Sequence, residues 1–289
     1  MGGSAALASA FLWAVSAILF RQLGETFSAT AMNLSKGLIA LLSIGIILVF
    51  AGIEPIATSE YWSLAASGVL GICLGDTLYF MALVRLGPRL TLLLGSLIPV
   101  LTGIIAVVFL GERLADVAWM GLALTIIGVT YVLWQGAGEN HASHQWRRGL
   151  IFAALFIAAN AGAIILSKLG VATVAALDAT FIRTAWAVAG LSFWALASRN
   201  LITQLKPLQI PELLRKMLLA GFIGAFLGTW LSIVALKYTH ASVAAALNST
   251  SPLFVLPLAM VFLKQTLDVK SLTGAVIAVI GIAIYFLNV

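Results

Sequence analysis

Apolar residues along this chain fall in continuous runs of about twenty, separated by short polar stretches and without the alternation expected of strands. An α-helix needs roughly 20 residues to cross a bilayer core of about 30 Å. The runs predict ten spans, near residues 4–21, 29–51, 61–84, 89–110, 115–134, 149–167, 177–198, 216–236, 241–263 and 268–287. Barrel strands are excluded because they are about ten residues long and alternate apolar with polar positions. The most polar stretch, QGAGENHASHQWRR, lies near the middle of the chain. It reads as a linker, 136–148, between two five-helix halves, 1–135 and 149–289.

The halves share a constant spacing. Gly71, Leu74, Gly75, Ala82, Leu83, Pro99, Leu110, Leu114, Gly121 and Gly128 recur 153 residues later as Gly224, Leu227, Gly228, Ala235, Leu236, Pro252, Leu263, Leu267, Gly274 and Gly281. Nearer the start of each half the spacing is 146 or 147, pairing Leu23-Gly24 with Leu169-Gly170 and Lys36 with Arg183. An internal duplication accounts for both. Five is odd, so the second copy enters the membrane inverted, a construction common among secondary transporters whose sites lie between the two copies near the midplane. The expected fold is therefore an all-α integral membrane protein of ten helices in two inverted repeats.

Composition supports lipid as the solvent: 62% of the 289 residues are hydrophobic and 9% charged, with a mean hydropathy of +1.11, against about a quarter charged in soluble domains. The net charge of +6 is spread over loops rather than gathered into a patch, which suits lipid headgroups better than nucleic acid. The single cysteine, Cys73, excludes an intrachain disulfide and reads as a small buried hydrophobe. Residues 1–4 carry no basic segment, so the first run is expected to be a permanent span rather than a cleaved signal.

No HExxH, GxSxG or phosphate-cradling GxxxxGK occurs, and no paired histidines, so an enzyme is not expected and neither a cofactor nor a metal is implied. His141 and His144 fall in the polar linker, and His240 at a helix boundary. Chemistry is carried instead by ionisable residues inside spans, where a charge is costly and functional by default. Lys36 lies about 10 Å into its span at 1.5 Å per residue and could snorkel, as could its counterpart Arg183. Asp76, roughly 12 Å deep, has too short a stem for that. It must pair, protonate or face water, and Lys36 is at comparable depth. Asp76 corresponds to Thr229, so the second half lacks an acid to neutralise Arg183. An anionic substrate group on Arg183, with proton coupling through Asp76 and Lys36, follows as the hypothesis.

Trp13, Asn33, Tyr79, Asn160, Trp186, Trp230 and Asn248 are amphipathic side chains able to line a cavity around these charges. Tyr79 shares a helical face with Asp76, and Trp230 adjoins Thr229. Interhelical hydrogen bonding is a sufficient role for Asn160 and Asn248. Trp119, Trp134 and Trp146, near span ends, suit the interfacial belt. Gly71-xxx-Gly75 and Gly224-xxx-Gly228 are close-packing faces, and Pro99 and Pro252 read as mid-helix kinks.

Leu74-Gly75-Asp76-Thr77-Leu78-Tyr79-Phe80 with Ala82-Leu83, Leu97-Ile98-Pro99-Val100 and Phe109-Leu110-Gly111-Glu112-Arg113-Leu114 resemble the EamA domain of the drug/metabolite transporter superfamily. Ser251-Pro252-Leu253 and Phe262-Leu263-Lys264-Gln265-Thr266-Leu267 repeat it, with Lys264-Gln265 where the family has Gly-Glu. The resemblance implies a secondary transporter in the cell membrane, exporting amino acids or other small metabolites, with both termini in the cytoplasm. Counting basic residues by loop gives the opposite orientation: eleven on the side of loops one, three, five, seven and nine against three on the other. The competing reading is a flippase-type or accessory membrane protein in which Lys36 and Arg183 contact a lipid phosphate.

Overall fold

A computed structural model of the protein describes residues 1–111, 115–140, 144–197, 205–263 and 269–287. Among these, all regular structure is helical, as it must be where lipid supplies no partner for a backbone N–H or C=O. The first helices are α1 (Gly2–Leu23) and α2 (Ala29–Ala51), and the Ser28 hydroxyl caps α2 by accepting the Ala31 N–H at 3.1 Å. Helix α3 (Thr58–Ser67) runs into a π-helical segment (Gly68–Gly75) and then α4 (Asp76–Gly95). Gly87, at φ 79°, joins two helical pieces of α4 at a bend ahead of Pro88, a backbone geometry that only glycine adopts without strain. Helix α5 (Ile98–Ile105) leads into a second π segment (Ala106–Leu110), followed by α6 (Asp116–Asn140), α7 (His144–Gly170) and α8 (Ala176–Ala197). The chain then forms α9 (Pro211–Ala220), a π segment (Gly221–Gly228), α10 (Thr229–Tyr238), α11 (Ala241–Asn248), α12 (Ser251–Leu263) and α13 (Val269–Leu287).

Seven helices among the described residues are long and apolar enough to cross a membrane, and three shorter apolar ones accompany them. Two of the ten expected spans are interrupted. The run at 89–110 is broken at Ser96 and Leu97, between α4 and α5, and the run at 241–263 is broken at Ser249 and Thr250, between α11 and α12. Pro99 and Pro252 are accordingly not mid-helix kinks. Each is the second residue of a helix, where a missing N–H costs nothing and the residue before proline is steered out of the helical region. The central polar stretch is also largely helical, with α6 reaching Asn140 and α7 starting at His144. A helix satisfies its backbone internally whatever its side chains, and Gln, Glu and Arg are good helix formers. His141, Glu112, Arg113, Leu114 and residues 264–267 lie outside the described residues.

The outer surface is apolar, with Val49, Phe50, Phe109 and Phe193 all more than three quarters exposed, whereas the interior is rich in alanine, serine and glycine. Small residues let helix backbones approach where hydrophobicity cannot drive association. A Cβ on Gly121 would lie 2.6 Å from the Gly281 carbonyl oxygen, and one on Gly128 2.7 Å from that of Gly274, so α6 and α13 run antiparallel in close contact. The other tight crossings come in matched pairs. A Cβ on Gly71 would meet Ala163 at 2.7 Å and one on Gly75 would meet Asn160 at 2.8 Å, while Gly224 abuts Ser16 and a Cβ on Gly228 would meet Trp13 at 2.8 Å. The π segment before α4 thus packs on α7 as the π segment before α10 packs on α1, again antiparallel. Cys73 is half-buried against Gly190.

Candidate functional site

The crossings of the two glycine-rich π segments on α7 and α1 border a cavity of about 180 Å³, somewhat larger than the roughly 150 Å³ engineered cavity that holds benzene. Two of the three described π segments, Gly68–Gly75 and Gly221–Gly228, border it, as does each half of the two helix breaks: Gly71, Gly224, Gly95, Ile98, Ser249 and Ser251 all line its wall. Helical segments of π geometry recur at functional sites because they present side chains off the regular α register. At the breaks, the Ser96 hydroxyl donates to the Ser249 carbonyl and the Ser249 hydroxyl to the Gly95 carbonyl, both at 3.5 Å. The two interruptions therefore face each other across the middle of the bundle.

Three charges line the cavity. Lys36, from α2, is buried and forms an ion pair with Asp76, the first residue of α4; its ammonium also lies 5.4 Å from the Phe80 ring centroid. Snorkelling is thereby excluded for Lys36. The side chain of Asp76 keeps 26% exposure and borders the cavity. Arg183, from α8, is 8% exposed, and its Nε has no hydrogen-bond partner. Among the described residues no carboxylate pairs with it. Its backbone abuts Gly68, so the glycine that opens the π segment also seats this arginine. The cavity lining carries two cations and one anion, a surplus of one positive charge.

Of the other expected residues, Trp13, Tyr79, Asn160 and Asn248 line the same cavity. The Trp13 indole donates to the Gly224 carbonyl at 3.2 Å, Tyr79 packs edge-on against Phe156 at 5.6 Å, and Asn160 donates to the Phe156 carbonyl at 3.1 Å. Asn248, closing α11, donates to the Ser232 hydroxyl at 2.8 Å. Trp230 is not part of the lining; it stacks on Phe226 at 6.3 Å. Asn33 ties α2 to the end of the first π segment, donating to the Ile72 carbonyl at 2.7 Å and the Thr77 hydroxyl at 2.9 Å. Trp186 donates to the Tyr61 hydroxyl at 3.0 Å, away from the cavity. Ser232 and the paired helix breaks escaped the sequence patterns, whereas Thr229, named there as the counterpart of Asp76, also lines the cavity. The motif of a serine three residues ahead of each proline, Ser96 and Ser249, was the available signal for the breaks.

A multi-pass helical bundle with a charged cavity at its centre is the architecture of a membrane transporter. The EamA-like transporter family matches residues 1–134 and 147–287, and the chain belongs to that family. A protein named as an uncharacterized transporter from Archaeoglobus fulgidus is 26% identical over 290 residues, covering 97% of this chain and 96% of its own length. A protein solved by crystallography has the same fold with a TM-score of 0.75, at 17% identity, covering 99% of this chain and 96% of its own. The protein is thus a multi-pass membrane transporter that works in a lipid bilayer on a small-molecule substrate.

Proposed function

We propose that this transporter moves small metabolites bearing an anionic group, such as amino acids or organic anions, as a secondary exporter by alternating access at the central cavity. The observation that carries the reading is Arg183, a buried guanidinium without a carboxylate partner in the wall of a cavity. A buried cation left unpaired is strongly unfavourable, and an anionic substrate group supplies the missing partner. Ten spans in two inverted five-helix repeats support the transport cycle. The antiparallel contact of α6 with α13, the matched glycine crossings and the breaks 153 residues apart all accord with that symmetry. Two similar halves can then exchange conformations around a fixed site.

Proton coupling runs through Asp76 in this reading. The charged and titratable groups around it are Lys36 on α2, Arg183 on α8, and Tyr79 and Cys73 on its own helix and the preceding π segment. Protonating Asp76 dissolves its ion pair with Lys36 and changes the charge that the cavity presents to an anion, which links proton binding to substrate binding. The test is a thermal-shift screen of the detergent-solubilised protein against amino acids, organic and phosphorylated anions, cationic drugs and lipid phosphates, with Arg183→Ala in parallel. Ligands that bind the native state stabilise it by mass action. A small-anion response that disappears in Arg183→Ala is expected. Stabilisation by lipid phosphates alone, or by anions regardless of Arg183, would overturn the reading. In proteoliposomes, Asp76→Asn should remove the pH dependence of transport.

A further inference from the structure

The two halves place equivalent cations in unequal company. Lys36 and Arg183 stand 147 residues apart, and the residues that follow the matching π segments, Asp76 and Thr229, stand 153 apart. In the first half α2 packs against α4, and Lys36 is held by Asp76. In the second half α8 packs against α10 in the corresponding way, yet Thr229 offers only a hydroxyl and Arg183 forms no ion pair among the described residues. Arg183 and Thr229 both line the cavity, and Thr229 stands where the first half carries the carboxylate of Asp76.

We propose that this position, bounded by Arg183 and Thr229, is the receptor for a substrate carboxylate. The protein carries its own example of the complex in the Lys36–Asp76 pair. The inference rests on the anion-transport reading above and narrows it to carboxylates as the recognised group. A guanidinium presents a planar fork matched to the two oxygens of a carboxylate, and the Thr229 hydroxyl, which makes no hydrogen bond among the described residues, can donate to one of them. The matching residue in the first half is itself a carboxylate, so the precedent within this fold is a planar, singly charged group and not a tetrahedral phosphate. The net charge of the cavity lining, one positive in excess, is brought to zero by one such group.

The deciding experiment supplies the missing acid from the protein. Thr229→Asp should raise the melting temperature of the ligand-free protein by neutralising Arg183, and it should abolish stabilisation by propionate and benzoate, because the positive charge that attracts them is then balanced from within. Thr229→Asn, nearly the same shape without the charge, should retain the response to both probes. Thr229→Val, which keeps the volume and removes only the hydroxyl, should weaken propionate binding about tenfold, the effect of one hydrogen bond to a charged group. Inorganic phosphate at matched ionic strength should stabilise the wild type less than propionate.

A Thr229→Asp protein that still responds to carboxylates would refute the proposal, as would equal loss in Thr229→Asn or an unchanged affinity in Thr229→Val. The last measurement stands even if the aspartate variant does not fold. Preference for phosphate over propionate would likewise refute it. If these failures occur while Arg183→Ala still loses its anion response, the carboxylate receptor falls and the anion site at Arg183 stands. If the wild type responds to no anion at all, both fall.

Discussion

Removing one member of the Lys36–Asp76 pair should be far more damaging than removing both. The pair is enclosed by α2, α4 and the Phe80 ring, with side-chain exposures of 10% for Lys36 and 26% for Asp76. Breaking a buried pair by deleting one partner costs 3–5 kcal/mol, because the survivor stays buried and unpaired. The partial exposure of Asp76 to the cavity places this pair near the low end, at about 3 kcal/mol. The two single variants differ in sign of charge. Asp76→Asn leaves Lys36 and Arg183 facing one cavity without an anion, whereas Lys36→Met leaves Asp76 able to compensate Arg183. Asp76→Asn should therefore be the less stable of the two, and the double variant should lose only about 1 kcal/mol, which makes the coupling energy about 5 kcal/mol. The assay is reversible unfolding of the four proteins in mixed micelles with an increasing denaturing detergent. A coupling below about 0.5 kcal/mol, the level at which independent sites already add, would mean that the two groups contribute independently and would refute the buried pair.

Other substitutions separate packing from chemistry. Gly68→Ala would place a Cβ against the Arg183 backbone, which cannot yield as a side chain can; a loss of about 1–3 kcal/mol and of the anion thermal shift is expected together, and an unchanged shift would show that Arg183 is not seated by this contact. Gly121→Leu should pry α6 from α13, where the space beside Gly121 is already filled by backbone atoms of Gly281 and Tyr285 at 2.6 Å; melting should fall by several degrees, and wild-type melting would contradict the close antiparallel contact. Trp186→Phe removes the 3.0 Å hydrogen bond to Tyr61 and should cost about 1 kcal/mol without altering transport, since Trp186 is outside the cavity lining.

Much of this protein was decided locally. Apolar runs of about twenty residues leave the backbone no choice but to bond within itself, so the helical class and the membrane environment follow from composition and period alone. The duplication was legible because a fixed spacing survives in glycines and prolines whose roles are steric, and the intramembrane charges were legible because lipid makes each of them expensive.

Other features depended on which groups meet in space. The pairing of Lys36 with Asp76, residues 40 positions apart, requires α2 and α4 to lie side by side, and no local signal records that neighbour. The isolation of Arg183 is likewise a property of its surroundings: a threonine where the first half has an aspartate, and a glycine backbone pressed against its own. Adjacency to Thr229 favours Trp230 over Trp13 in the sequence, but Trp13 borders the cavity while Trp230 turns to Phe226, because helix rotation is set by packing against neighbours and not by hydropathy. The helix breaks at Ser96–Leu97 and Ser249–Thr250 interrupt runs that are apolar enough to continue. They persist because the two interruptions cross at the cavity, where serine hydroxyls can reach the opposite carbonyls and the loss of helical bonds is tolerated only away from lipid.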